Sequence, residues 1–372
     1  MCISIIIITP GPAYQAHSES YQNQFKYLSK YFKGYIFTSS SKTEEMTIGR
    51  FKFKSIKTKH TIISKLMYFI FCIKNAISIS RRGEKIDLVS TYDPLTTGVV
   101  GIIVSYIVKA KLITEVNGVY TSSAEWLDDA DKLSIRIKKY IYPKIMRYVL
   151  KRTDGIRLLF KNQIDPFKDV IDNKIVKSFP CYVATEQFNN IMEKTEILFA
   201  GFPFKRKGVD VLIAAFKRIS PKYPDWKLKI LGWFPNINEL DSAIAGHPQI
   251  YHHKPVHASE MPKHIGSCAI LVLPSLSEAM GRVLVEAMAA GKPRIGSNVD
   301  GIPTVINDGI DGYLVEPGNV DDLTNKLEIL ISNQKLRHEL GRNAEKRAKT
   351  EFSKEMYCHN LLSLYHEVLE TQ

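Results

Sequence analysis

Cysteine is scarce: Cys2, Cys72, Cys181, Cys268 and Cys358 are the five in 372 residues, far apart and odd in number. No Cys-x-x-Cys pair and no Cys/His cluster at zinc spacing occurs, which argues against a disulfide framework or a structural zinc and for a reducing compartment. A cationic leader is missing before "CISIIIITPGP", and a Pro-Gly-Pro turn stands where a cleavage site needs small residues. This start predicts a buried strand, not a signal peptide. No uncharged apolar run reaches the ~20 residues of a membrane span. "IISKLMYFIFCIKNAISISRR" is interrupted by Lys65 and Lys74, and "TTGVVGIIVSYIVKAK" is shorter. Internal repeats, low-complexity tracts and recognisable nucleic-acid-binding modules are also missing.

What is present is an ordinary globular composition, 45% apolar and 24% charged, which excludes general disorder. The length suits two domains. The net charge of +13 is uneven: residues 1–180 carry 29 Lys+Arg against 15 Asp+Glu, and residues 181–372 carry 22 against 23. The first half alone is basic, a field that fits an anionic membrane surface, an acidic acceptor or a plain solvated face. With no binding module beside it, nucleic acid is the poorest fit.

Short apolar runs alternate with helix-length amphipathic segments, the pattern of parallel strands joined by crossover helices. Strands are predicted at "ISIIIIT", "GYIFT", "DLVST", "KLITEV" and "GIRLLF", then at "EILFAG", "LKILG", "ILVLPS" and "PRIGS". The reading is an α/β protein with domains at 1–180 and 197–351, a linker at 181–196, and a terminal helix at 352–372. Leu361, Leu364, Tyr365 and Val368 give that helix one apolar face.

The chemistry gathers in "SEAMGRVLVEAMAAGKP", Ser277 to Pro293. Glu278 falls in the loop at the carboxyl end of a strand, where open α/β sheets bind ligands. Gly281 precedes a helix whose first amides, of Gly281, Arg282 and Val283, suit a phosphate. Glu286 lies further along that helix. Two acids beside a phosphate site would repel it, but each can accept hydrogen bonds from sugar hydroxyls. The implied ligand is sugar, phosphate, sugar. A second phosphate-handling candidate is "ILFAGFPFKRKGVDVLIAAF", where a strand ends at Gly201 and a loop carries Lys205, Arg206 and Lys207.

These residues resemble the retaining glycosyltransferases of family four, most strongly from Ile197 to Leu323, through the spacing of Glu278 and Glu286 that matches the family's E-x7-E signature. The resemblance implies a GT-B fold, two Rossmann-like domains facing a central cleft, with the terminal helix returning to the first domain. It implies a metal-independent transfer from a nucleotide-diphosphate sugar with retention of configuration, no cofactor, and a saccharide or lipid-linked saccharide acceptor. Glu278 would hold donor-sugar hydroxyls, with the amides near Met280 to Arg282 on hydroxyls or phosphate. Glu286 would hold the ribose diol, and Lys207 the diphosphate. Gly201 and Val283 complete the donor set, Glu278, Lys207 and Arg206 are the catalytic candidates, and Gly11, Asp93 and Asn117 the acceptor-side ones.

Two departures stand out, with a third, milder one. Phe202 occupies a position where the family usually has arginine, so Lys205 or Arg206 would substitute. Asn117-Gly118 replaces a frequent histidine-glycine pair, and Thr304 replaces a common glutamate. The alternatives are a sugar-nucleotide-binding partner subunit without turnover, a nucleotide-sugar epimerase and, least of all, a nucleic-acid-binding protein. The expected location is cytoplasmic, with peripheral attachment through Leu66, Phe69, Ile70 and Ile73 of the segment Ile62 to Arg82.

Overall fold

The computed structural model describes residues 2–10, 17–58, 62–129 and 132–371. The chain divides into two compact units, one of residues 1–118, 138–181 and 357–372, the other of residues 119–137 and 182–356. The changeover at 181/182 falls beside the expected linker. The assignment of residues 119–137 to the second unit was not anticipated.

Among the described residues, the first unit is built on eight strands: β1 Ile3–Ile8, β2 Phe32–Ser40, β3 Glu44–Ile48, β4 Phe51–Lys57, β5 Leu88–Thr91, β6 Lys111–Val116, β7 Gly155–Leu158 and β8 Ile175–Ser178. Their order is β3-β4-β2-β1-β5-β6-β7-β8, parallel throughout except for the antiparallel β3/β4 pair. β1 is a nearly continuous isoleucine run, as a strand covered on both faces requires. Its neighbours β2 and β5 carry the sheet in opposite directions, so the switch point lies at the carboxyl ends of β1 and β5. The terminal helix Lys354–Glu370 packs in this unit, burying Leu361, Leu364, Tyr365 and Val368 against Ile3, Phe32, Leu88 and Ile113. Its apolar face thus has the partner the sequence pattern called for.

The helix Ile62–Arg81 is, among the described residues, the one long and apolar enough to cross a membrane by length and composition. It nevertheless sets Tyr68, Cys72, Ala76 and Ile79 into the core, and the Tyr68 hydroxyl donates to the Thr9 carbonyl at 2.6 Å. Its outward apolar residues are Ile63, Leu66, Met67 and Ile70. Phe69 and Ile73 pack against the core instead, a correction to the expected membrane-facing set. They lie one turn apart on the flank nearer the sheet.

Among the described residues, the second unit has six parallel strands: β9 Glu196–Ala200, β10 Lys227–Leu231, β11 Ile250–His253, β12 Ile270–Leu273, β13 Arg294–Ser297 and β14 Tyr313–Val315. Their order is β11-β10-β9-β12-β13-β14. The switch point falls between β9 and β12, so the loops after those two strands share one crevice edge.

Candidate functional site

The loop after β9 runs from Gly201 through Phe202, Lys205, Arg206 and Lys207 to Gly208, where the helix Val209–Ile219 starts. Gly208 has φ +66°, and a Cβ there would lie 2.1 Å from the Pro274 carbonyl oxygen. Only glycine lets the two loops approach so closely. The contact continues in hydrogen bonds: Leu276 N donates to the Arg206 carbonyl at 2.7 Å, and Arg206 Nη1 donates to the Ser277 carbonyl at 3.3 Å.

Beside that seam Lys207 Nζ donates to Glu278 Oε2, with both side chains nearly buried. Burial pushes the Glu278 carboxyl up, but Lys207's charge and hydrogen bond, Arg206's charge and the Gly281 amide outweigh it and hold it below the usual carboxylate range. Glu278 is therefore an ionised acceptor at neutral pH. The Gly281 amide, expected to be free for a phosphate, is engaged by Glu278. The helix Arg282–Ala289 starts directly after it.

Gly281 has φ +75°, and a Cβ there would press on Leu284 and Leu273 at 2.9 and 3.0 Å. Met280 is buried, Arg282 exposed and Val283 half-buried. Glu286 is half-buried on that helix, and burial pushes its carboxyl up to about 7 against the charge of Arg282.

Sequence reasoning missed Asp300, which has φ +48° and precedes Gly301. Its Oδ2 accepts from Ser277 Oγ at 2.8 Å and from Glu278 N at 3.0 Å, while Gly301 N donates to the Glu278 carbonyl at 3.1 Å. Glu278 is thus fixed from the loop after β13. The Asp-Gly pair signals a turn, but nothing local says what the turn holds. Also missed were Glu125, 3.3 Å from Arg206 Nη1, and Asp128, which accepts from the amides of Lys205 and Arg206.

Of the two cations offered as substitutes at Phe202, Lys205 is taken by Asp210 at 2.9 Å and Glu239 at 3.7 Å. Arg206 pairs with Glu125 at 3.3 Å, and its charge helps to lower the pKa of Glu278. Phe202 itself is exposed and pairs with Trp233, ring centroids 5.0 Å apart.

In the first unit, Asp93 follows β5 at the switch point. It is buried, and its carboxylate accepts from Leu95 N at 2.8 Å and from Thr97 N and Oγ1 at 3.2 and 3.0 Å. Burial raises its pKa against those bonds. Asn117 donates to the Tyr92 carbonyl at 2.9 Å and to Glu115 Oε2 at 3.0 Å, and accepts from Arg157 Nη1 at 2.9 Å. Both side chains are held within the unit by these bonds. Gly11 lies outside the described residues.

The model of the family "Glycosyl transferases group 1" matches residues 184–347, which contain Gly201, Lys207, Glu278 and Glu286. That match spans 164 of the 372 residues and makes this segment similar to the group 1 glycosyl transferases. It is 34% identical over 175 residues to an uncharacterized glycosyltransferase of Methanocaldococcus jannaschii, covering 46% of this chain and 48% of the relative. It is 30% identical over 191 residues to the capsular polysaccharide biosynthesis glycosyltransferase CapM of Staphylococcus aureus, covering 50% of each. The chain spans about half the length of the curated relatives it matches.

Sucrose-phosphate synthase from Thermosynechococcus elongatus has the same fold, with a TM-score of 0.77 and 17% identity over the full length of both chains. WaaG, a glycosyltransferase involved in lipopolysaccharide biosynthesis, matches at 0.68 and 16% over 99% of each. The architecture is GT-B.

Proposed function

We propose that the chain is a retaining, metal-independent glycosyltransferase that moves a sugar from a nucleoside-diphosphate donor to a saccharide or lipid-linked saccharide in surface polysaccharide or glycolipid synthesis. The observation that carries the reading is the meeting of Lys207 and Glu278 from the loops after β9 and β12. A carboxylate held ionised accepts hydrogen bonds from donor-sugar hydroxyls, and the ammonium beside it neutralises the diphosphate as it leaves. Arg206 supplies a second positive charge, and the amides of Arg282 and Val283 are donors for phosphate oxygens. Glu286 accepts from the ribose diol. The matched family and the capsular polysaccharide enzyme among the relatives support this reading.

In the transfer, the bond from the anomeric carbon to the phosphate oxygen breaks and a bond to the acceptor oxygen forms on the same face. The acceptor's hydroxyl proton passes to the departing phosphate, so no protein base is required. A transfer assay over a panel of nucleotide sugars tests this: product forms in EDTA with retained anomeric configuration. Loss of turnover in chelator restored by magnesium or manganese sinks the metal-free mechanism, and an inverted product sinks retention. A second reading, a sugar-nucleotide-binding partner subunit, is favoured by Phe202 and by the engaged amide of Asn117. Nucleotide binding with no turnover on any acceptor would select it.

The acceptor side belongs to the basic first half. The exposed Ile63, Leu66, Met67 and Ile70 and the charges of Lys65, Lys74 and Arg81 on one helix, with Arg82 in the turn that follows, fit the cytoplasmic face of an anionic membrane, with about 1 kcal/mol from each near-surface cation. Binding to anionic vesicles should exceed binding to neutral ones and fall with salt. Indifference to anionic vesicles at low salt removes the membrane from the proposal.

A further inference from the structure

We infer that Asp128 and Glu125 are positioning residues that hold the Lys205–Lys207 loop in the shape that receives the donor's diphosphate. The inference rests on the donor-site reading above. Residues 119–137 pack in the second unit although the chain on both sides of them belongs to the first. There the two Asp128 oxygens are spent on consecutive amides, Oδ1 accepting from Lys205 N at 2.8 Å and Oδ2 from Arg206 N at 2.9 Å.

A carboxylate shared between successive N–H groups fixes the peptide plane between them. Glu125 adds an ion pair to Arg206 at 3.3 Å. On its other side the same arginine is held by Leu276 N, which donates to its carbonyl, and by the Ser277 carbonyl, which accepts from its Nη1. The loop is gripped from both sides, and Lys207 emerges from it onto Glu278.

Two acids near a diphosphate site could instead compete with the diphosphate. Their contacts speak against that: Asp128 takes main-chain amides and Glu125 takes Arg206, while Lys207 stays with Glu278. The acids shape the loop without taking its principal cation.

The test uses the full chain with UDP and GDP as probes, comparing the parent with Asp128→Ala and Asp128→Asn. Asparagine's one carbonyl oxygen can replace only one of the two acceptors. Hydrogen exchange over residues 202–208 of the free protein should be about tenfold faster in Asp128→Ala and intermediate in Asp128→Asn. The nucleotide dissociation constant should rise about 10- to 100-fold and less, respectively, at an unchanged melting temperature. Unchanged exchange, or tighter nucleotide binding by Asp128→Ala, overturns the inference, the latter by showing the acid to be a competitor. If the parent binds neither nucleotide, the donor-site reading falls, and faster exchange in the variant leaves Asp128 a purely structural role, which also overturns the positioning claim.

Discussion

Replacing Lys207 with alanine is expected to lower the rate of sugar transfer by on the order of 10²- to 10³-fold, the usual cost of removing one preorganised group aimed at developing charge. As the glycosidic bond to phosphate breaks, negative charge grows on the leaving diphosphate. The loop after β9 offers three cations, but Lys205 is committed to Asp210 and Glu239, and Arg206 is shared between Glu125 and the Ser277 carbonyl. Lys207 remains, with Glu278 as the partner it must share with the incoming donor.

The loss should appear in kcat more than in KM, because the interaction strengthens as the charge develops. Arginine at 207 should restore part of it. Nucleotide titration separates chemistry from binding: a variant that binds UDP within about tenfold of the parent yet turns over hundreds of times more slowly fits this role. A variant with parental kcat removes Lys207 from the mechanism. Glu278→Ala should likewise cut turnover, and it also leaves Lys207 with no anionic partner in a nearly buried place.

How much of this could be seen in the sequence depended on how local each feature is. Strands β1, β5, β9 and β12 are short runs dominated by β-branched and aliphatic residues and buried almost throughout, and such runs announce themselves. β4 is "FKFKSIK", alternating buried and less buried positions near the sheet's edge, and β3 pairs with it across the turn at Gly49; lysines at three of its seven positions hid the strand. β14 is only three residues long. The two acids and the basic loop were legible because their spacing is fixed along one chain segment.

Asp300, Glu125 and Asp128 were not, since each acts on residues 22 to 81 positions away, through contacts that only the folded sheet brings together. The same distance effect works in reverse for Asp93 and Asn117. Polar residues after strand ends look available in the sequence, yet Asp93 is consumed by its own turn and Asn117 by the buried Arg157 and Glu115. A strand-end position is therefore a reason to look at a residue, and its hydrogen-bond partners decide what it is free to do.

Nucleotide affinity is expected to fall about tenfold for each pH unit below 7, because the ribose-binding role of Glu286 requires its carboxylate. Burial on the helix Arg282–Ala289 pushes that carboxyl up to about 7 from an ordinary 4.5, with Arg282 pulling the other way. The folded chain therefore binds this proton more tightly than the unfolded chain does. The resulting contribution to stability is fully present below 4.5 and is lost as the pH rises through 7. Acidification thus favours the fold through this group while it disables the site, and the two trends can be measured side by side. At pH 5 the UDP dissociation constant should lie about 100-fold above its alkaline plateau. Glu286→Gln cannot titrate: it should bind more weakly than the parent at pH 8 and show this component of the pH dependence in neither affinity nor stability. Titrating UDP into both proteins from pH 5 to 8.5 isolates the group, because histidines and phosphate contribute equally to both profiles and cancel in the difference. If the difference is flat across that range, Glu286 does not hold the ribose, and the donor lies elsewhere along the crevice edge between β9 and β12.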